Sequence, residues 1–440
     1  MKTLSSFILL SSVLFSPVTV MASSLSEAIN ADYQQHLAPL WDHFHRNPEL
    51  SLMETKTAKR LASELRAIGY EVTEGIGGTG IVAMLKNGAG PMVMVRADMD
   101  GLPVKELSGL PNASKVMMTD WNGENVSVMH ACGHDVHITA LVGTARYMAE
   151  NKNQWSGTLM LIGQPAEEKG PGASAMMQDN IWQRFGQPDY AYAFHVDANS
   201  LAGKVTVDEN SPYAGADTVD IIVHGIGAHG ASPHQGKDPI MIGAQIVTNL
   251  QTIVSRELAP RDAGVITVGA FHSGTKHNII SAQAHLQLTV RSLNPRVREQ
   301  LLSAIKRVAI GTARTAGVPE DKLPEVIISE DAYPPTYNDK KLAQRLKVLI
   351  NDKMGEDMLL APKEGGGMGA EDFGFFTTDP YIPSVYFNVG GTPQADFDRA
   401  AAGGAPVGSH HSPQFKISPE PAVKSGVEAT VIALLDLMPK

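Results

Sequence analysis

A chain of 440 residues, 43% hydrophobic and 19% charged, has the balance of an ordinary globular protein with enough apolar residues for a large core, which argues against disorder. It exceeds the roughly 250–300 residues at which a single core stops growing, so two or more domains are expected. A net charge of −10 without basic runs argues against nucleic acid or anionic membrane as the main partner and leaves a small molecule as the default.

In chain order, the first residues read apart from the rest. Lys2 is followed by the apolar run "FILLSSVLF" (7–15), and Val20, Met21 and Ala22 resemble a small-residue cleavage site. Residues 1–22 are read as an export leader, removed near Ala22 and implying a periplasmic or secreted protein; the run is shorter than the ~20 apolar residues of a membrane span. From about 25 to 210, helical stretches such as 53–70 alternate with short apolar strands at 80–86, 92–100, 157–163 and 190–196. This is α/β with a largely parallel sheet. The middle of the chain changes character: a strand at 217–225, a helix at 238–258, strands near 264–271 and 283–291, a helix at 296–316 and a strand at 325–329. That βαββαβ order is a complete split-βαβ unit, ferredoxin-like, inserted into the larger domain. After about residue 332 the α/β pattern resumes with a strand at 383–391 and a helix near 419–438. The expected organisation is therefore a leader (1–22), a first part of one domain (23–214), an insertion (215–331) and a second part (332–440).

The chemistry-bearing residues fall at strand ends. Asp98 and Asp100 follow "MVMVR", Glu167 and Glu168 follow "LMLIGQPA", and His195 ends "YAYAF"; "MHACGHDVH" (129–137) opens a helix over 135–150. In open α/β sheets the carboxyl edge of the strands is where ligands bind. A cysteine, imidazoles and carboxylates at one edge form the ligand set of a divalent ion such as zinc, nickel, cobalt or manganese. The alternative is that Cys132 is a small buried hydrophobe and the histidines are caps or core residues. The two adjacent glutamates weigh against it, because they repel unless a cation or a proton relieves them.

"MHACGHDVH", "GQPAEE", "GAHGASPHQGKDP", "GAEDF" and "HHSPQF", in this order across 129–415, together with "HRNPELS" (45–51) and "RADMDGLPV" (96–104), resemble the two-metal amidohydrolase family. That family includes hippurate hydrolases, bacterial N-acyl-amino-acid amidohydrolases and plant auxin-conjugate hydrolases, and is more distantly similar to carboxypeptidase G and the aminoacylases. The resemblance implies a two-metal exopeptidase-like α/β catalytic domain with an inserted lid and dimerisation domain, hence a homodimer. It implies that Cys132, His134, Glu168, His195 and His411 bind two divalent ions, with Cys132 the bridge and His410 a rival for His411. Glu167 becomes the general base of amide hydrolysis by metal-activated water, and Asp100 the acid that orients a ligating histidine. His229 becomes the group that reaches over from the lid, often of a partner subunit, to stabilise a developing oxyanion. Asn278 and Arg291 become binders of the substrate carboxylate, and the Gly-rich stretch 364–373 a wall of the substrate pocket.

Relatives usually carry proline where this chain has Ala198 and Ser281, two positions bordering the substrate side. The activity implied is cleavage of the amide of N-acyl amino acids. A dipeptidase or carboxypeptidase of the same class, or an exported binding protein that kept the fold without turnover, are the alternatives; retention of Glu167 beside five intact ligands argues against the last.

Overall fold

The computed structural model describes residues 24–170, 172–329, 332–362 and 368–440. The expected leader at 1–22, residues 364–367 of the Gly-rich stretch and the expected junction at 331 lie outside the described residues. No described helix is long and apolar enough to cross a membrane.

The strands, in chain order, are β1 (Glu71–Ile76), β2 (Gly80–Asn87), β3 (Met92–Asp98), β4 (Met117–Thr119), β5 (Asn125–Ser127), β6 (Gly157–Gln164), β7 (Tyr190–Leu201), β8 (Val205–Thr206), β9 (Gly215–His224), β10 (Ala228–His229), β11 (Gly264–Ser273), β12 (Ile279–Ile280), β13 (Gln283–Ser292), β14 (Glu325–Ile328), β15 (Leu359–Leu360) and β16 (Ser384–Thr392). Eight of them form one sheet in the order β1-β2-β6-β3-β7-β16-β8-β15. Its centre, β6-β3-β7-β16, is parallel, whereas β1-β2, β2-β6 and β16-β8 pair antiparallel. The edge pair β8-β15 is also parallel, so the sheet is mixed, and the site is built on its parallel centre. β1 escapes the sequence reading because "EVTEGI" carries two glutamates and buries only Ile76 fully; a short turn joins it to β2, and a connection that short permits only the antiparallel arrangement.

Both faces of this sheet are covered, so its inner strands read as continuous apolar runs and not as alternating ones. Val93 and Val95 of β3 enter one core with Tyr192 and Phe194, while Met94 enters the opposite one with Met160, Ile162 and Tyr386. Helix His134–Glu150 is buried along most of its length, packed between β3 and helix Pro419–Leu437. It cannot drift without disturbing the core.

The second sheet has the order β11-β13-β9-β14, antiparallel throughout. Val219, Ile221 and Val223 of β9 face Leu286, Leu288 and Val290 of β13 in a separate apolar core under helices Pro239–Thr252 and Pro295–Thr315. Alternate residues of the same strands, Thr218, Thr289 and Arg291 among them, point the other way and line a cavity shared with the large sheet. The chain enters and leaves this second unit side by side, Tyr213 bridging Thr336 and Ala216 bridging Tyr333. The fold is therefore α/β with an inserted split-βαβ unit, as the pattern predicts.

Candidate active site

The parallel centre of the large sheet brings the strand ends to one edge. Asp98 closes β3 with Asp100 two residues on, Glu167 and Glu168 follow β6, His195 lies in β7, and Asn388 of β16 is its register neighbour. "MHACGHDVH" is delivered to the same edge by Gly133, whose φ of +86° and contact with Val196 leave no room for a side chain: a Cβ there would lie 2.3 Å from Val196 Cγ1. Glycine is required on both counts. Cys132, Glu167, Glu168, His195, His411, His410 and Arg291 all line one cavity of about 720 Å³, within the range of small-molecule sites.

Five histidines crowd this edge, and hydrogen bonding sorts them. His134 directs Nδ1 to Asp100 Oδ1 at 3.2 Å, and His195 directs Nδ1 to the carbonyl of Val196 at 2.7 Å. Each Nδ1 therefore carries the proton, leaving an Nε2 lone pair free, the form a metal ligand needs. His137 and His410 are spoken for. Val196 N–H donates to His137 Nε2 at 2.9 Å while its Nδ1 meets Asp98 at 2.6 Å. Ala198 N–H donates to His410 Nε2 at 3.1 Å, so the His410 proton sits on Nδ1, a donor to Cys132 Sγ 3.6 Å away. That amide exists because position 198 is alanine, since proline carries no N–H. The two neighbouring histidines differ in surroundings: His411, at a φ of +62°, turns Nε2 to within 3.3 Å of Glu168 Oε2, while His410 lies with Cys132 and His195.

The remaining donors converge. Cys132 Sγ lies 3.4 Å from His195 Nε2. Ligand atoms of Cys132, Glu168 and His411 lie within 4.8 Å of one another, as do those of His134, Glu167 and Glu168. His134 Nε2 and Glu168 Oε1 are 3.9 Å apart, both buried and without a hydrogen-bond partner among the described residues. An imidazole nitrogen and a carboxylate oxygen facing each other unpaired are poorly satisfied unless a proton or a cation stands between them. Electrostatics agree: burial, then the charges of Glu168 and Glu167, push the Cys132 thiol well above its usual range. Burial, then Glu371 and Glu168, likewise raises the Glu167 carboxyl well above its usual value. Burial alone would lower His134, but Asp98 and Asp100 outweigh it and lift it to about 10. An excess of negative charge seeks a positive partner here, and the residues present fit divalent cations.

Beneath the cavity lies a brace that sequence reading missed. Arg96, fully buried, donates through Nε to Gln164 at 2.6 Å, through Nη1 to Asp98 at 2.6 Å, and through Nη2 to Glu371 at 2.7 Å and Asp372 at 3.0 Å. Tyr386 of β16 donates to Glu371 at 2.6 Å. "GAEDF", read as a pocket wall, is thus partly a foundation: Glu371 reaches the cavity and Asp372 does not. Only the spacing of His134 and His137, one turn apart on a helix, could have indicated in sequence that the second histidine joins the cluster.

The lid residues divide. Arg291 lines the cavity, whereas His229 and Asn278 stand exposed away from it, side by side, with Gly230 N–H donating to the Asn278 carbonyl at 2.8 Å and Ala231 N–H to His229 Nδ1 at 3.0 Å. Within one chain the structure does not bring His229 to Glu167.

Residues 94–403 match the model of peptidase family M20/M25/M40. The chain is 36% identical over 350 residues to thermostable carboxypeptidase 2 of Saccharolobus solfataricus, covering 79% of this chain and 83% of that protein. It is 35% identical to the hippurate hydrolase of Campylobacter jejuni, covering 78% and 86%. Among solved structures it superposes on a dinuclear metal binding peptidase of Bacillus subtilis with a TM-score of 0.74 and 26% identity, over 92% of this chain and 99% of that one. A cavity at the carboxyl edge of the parallel strands, lined by a thiol, free imidazole lone pairs and clustered carboxylates, is found in a chain that belongs to peptidase family M20/M25/M40, whose members here are amidohydrolases and carboxypeptidases.

Proposed function

We propose that the protein hydrolyses the amide of N-acyl amino acids. Cys132, His134, Glu168, His195 and His411 would hold two divalent ions, with Cys132 shared because it belongs to both the His195 group and the Glu168–His411 group. When bound, such ions supply an acidified water and a Lewis acid for the carbonyl oxygen. Glu167 stands at the cavity wall to take a proton and return it to the leaving nitrogen. Asp100 holds His134 in the tautomer that keeps Nε2 free.

The observation that carries the substrate class is Arg291. Its guanidinium lines the same cavity as Glu167 and has no ion-pair partner among the described residues, so it is available to a substrate carboxylate. The other carboxylates of the wall are engaged: Asp217 by Arg298, Asp197 by Ser200 and the Asn199 amide, Glu371 by Arg96 and Tyr386. Among the described residues of the wall, no spare anion faces the ammonium of a free dipeptide. This favours a blocked, uncharged acyl side, which also suits a carboxypeptidase acting on N-blocked peptides. The test is a panel of N-benzoylglycine, N-acetyl amino acids, free dipeptides and N-benzoylglycinamide. Arg291→Ala should raise KM about 10–10²-fold for the carboxylates and leave the neutral amide unchanged. Dipeptides turned over as well as acyl amino acids, or a KM indifferent to Arg291, would refute the substrate assignment.

We also propose that the inserted unit, 215–331, pairs two chains. Its terminal strand β11 is a free sheet edge, and Ile240, Met241 and Phe271 around it are 44%, 56% and 36% exposed. In a symmetric dimer His229 would serve the partner's cavity. Mixed with Glu167→Gln subunits and allowed to exchange, His229→Ala subunits should restore about a quarter of wild-type activity, since half of the dimers then carry one complete site out of two. Heterodimers that form without regaining activity would return His229 to its own chain or to no role.

A further inference from the structure

We infer that Glu54 is a positioning residue: it holds Ala166 in a left-handed backbone conformation and so aims Glu167 and Glu168. The inference rests on the assignment of those two side chains as base and ligand. Ala166 is fully buried and has a φ of +50°, a region where an L-residue with a Cβ is strained. Such conformations persist only where the surroundings impose them. What imposes this one is visible. Ala166 N–H donates to Glu54 Oε1 at 2.8 Å, across a sequence separation of 112 residues.

Glu54 is itself fixed. It is fully buried just before helix Thr55–Ala67, and its second oxygen accepts from the Thr79 hydroxyl at 2.5 Å. On either side of Ala166 the chain is fastened as well, Gln164 by Arg96 and the Glu168 amide by Asp100 Oδ2 at 3.0 Å. Between these fixed points the left-handed turn at Ala166 sets the orientation of the next two residues. It sends Glu167 towards Glu371 and Asp372, and Glu168 towards His134 and His411. With Ala166 relaxed to an ordinary conformation, the following peptides rotate and the two carboxylates lose these neighbours. Glu54 touches neither cavity nor substrate; its action passes through one backbone amide.

A double-mutant cycle tests this, because glycine occupies positive φ without the Cβ penalty. Two readouts are needed: kcat on N-benzoylglycine at saturating cobalt, and cobalt affinity alone by calorimetry. Glu54→Ala should lower kcat about 10²-fold and weaken cobalt binding about tenfold, whereas Glu54→Gln, which keeps an oxygen acceptor, should restore most of both. Adding Ala166→Gly to Glu54→Ala should recover about tenfold in each, measured against Ala166→Gly alone. If the alanine variant does not fold, Thr79→Val, which removes only the hydroxyl that orients Glu54, carries the same comparison with Ala166→Gly. A double variant no better than the single one, or a Glu54→Ala protein that binds cobalt as wild type does, overturns the inference. Should the wild-type protein cleave no amide, the functional reading fails, while the cobalt measurements still decide whether Glu54 aims the loop.

Discussion

Glu167→Gln is expected to keep two divalent ions per chain and to lose at least ~10²-fold in kcat, the loss that removal of a general base brings. Glutamine has nearly the same shape and can keep the same neighbours, so the cavity wall should not move. What it lacks is the capacity to accept a proton. The retention of metal follows from the geometry: Cys132, His134, Glu168, His195 and His411 supply donors without Glu167. The brace under Glu167, in which Arg96 ties down Glu371 and Asp372, is also untouched by the change. Elemental analysis of the purified variant beside steady-state kinetics on N-benzoylglycine separates the two properties. Turnover near that of wild type would remove Glu167 from the chemistry; loss of metal in step with activity would make it a ligand.

Cys132→Ala is expected to lower metal content and turnover together, with activity down by about 10²-fold or more, since loss of even an outer-shell partner of a metal ligand costs 10–100-fold. The sulfur stands 3.4 Å from His195 Nε2 and belongs to two donor groups, one with His195 and His410 and one with Glu168 and His411. Burial and the neighbouring carboxylates hold the thiol protonated, so a thiolate there depends on cations, and the cations depend in turn on the thiolate. The Nδ1–H of His410 supports the same anionic form from the other side. Removing the sulfur should therefore release metal from both positions and not from one. Two ions per chain with surviving activity would return Cys132 to the standing of a packing residue.

Much of this arrangement is legible in the sequence because it depends on local regularities. Apolar runs bounded by turn residues mark β2, β3, β6, β7 and β16, and the alternation of "DTVDIIVHG" marks a strand with one buried face. Donor residues placed directly after those strands fall at the sheet's carboxyl edge for a general topological reason. β1 is missed because an edge strand with two glutamates buries too little to show a period. Arg96 is passed over because a guanidinium within an apolar run has no meaning until three carboxylates from 98, 371 and 372 surround it.

Residue type and local period determine which chemical groups are present and on which element each stands. Which of those groups are free to act is decided only by the tertiary structure. The sequence cannot show that Ala198 and Val196 present their amides to His410 and His137, leaving lone pairs on His134 and His195 instead. Nor can it show that Glu54 reaches across the fold to the amide of Ala166, or that His229 stands clear of its own chain's cavity. A side chain's reactivity is set by hydrogen bonds and charges a few ångströms away, and folding supplies those neighbours from residues far apart in the chain.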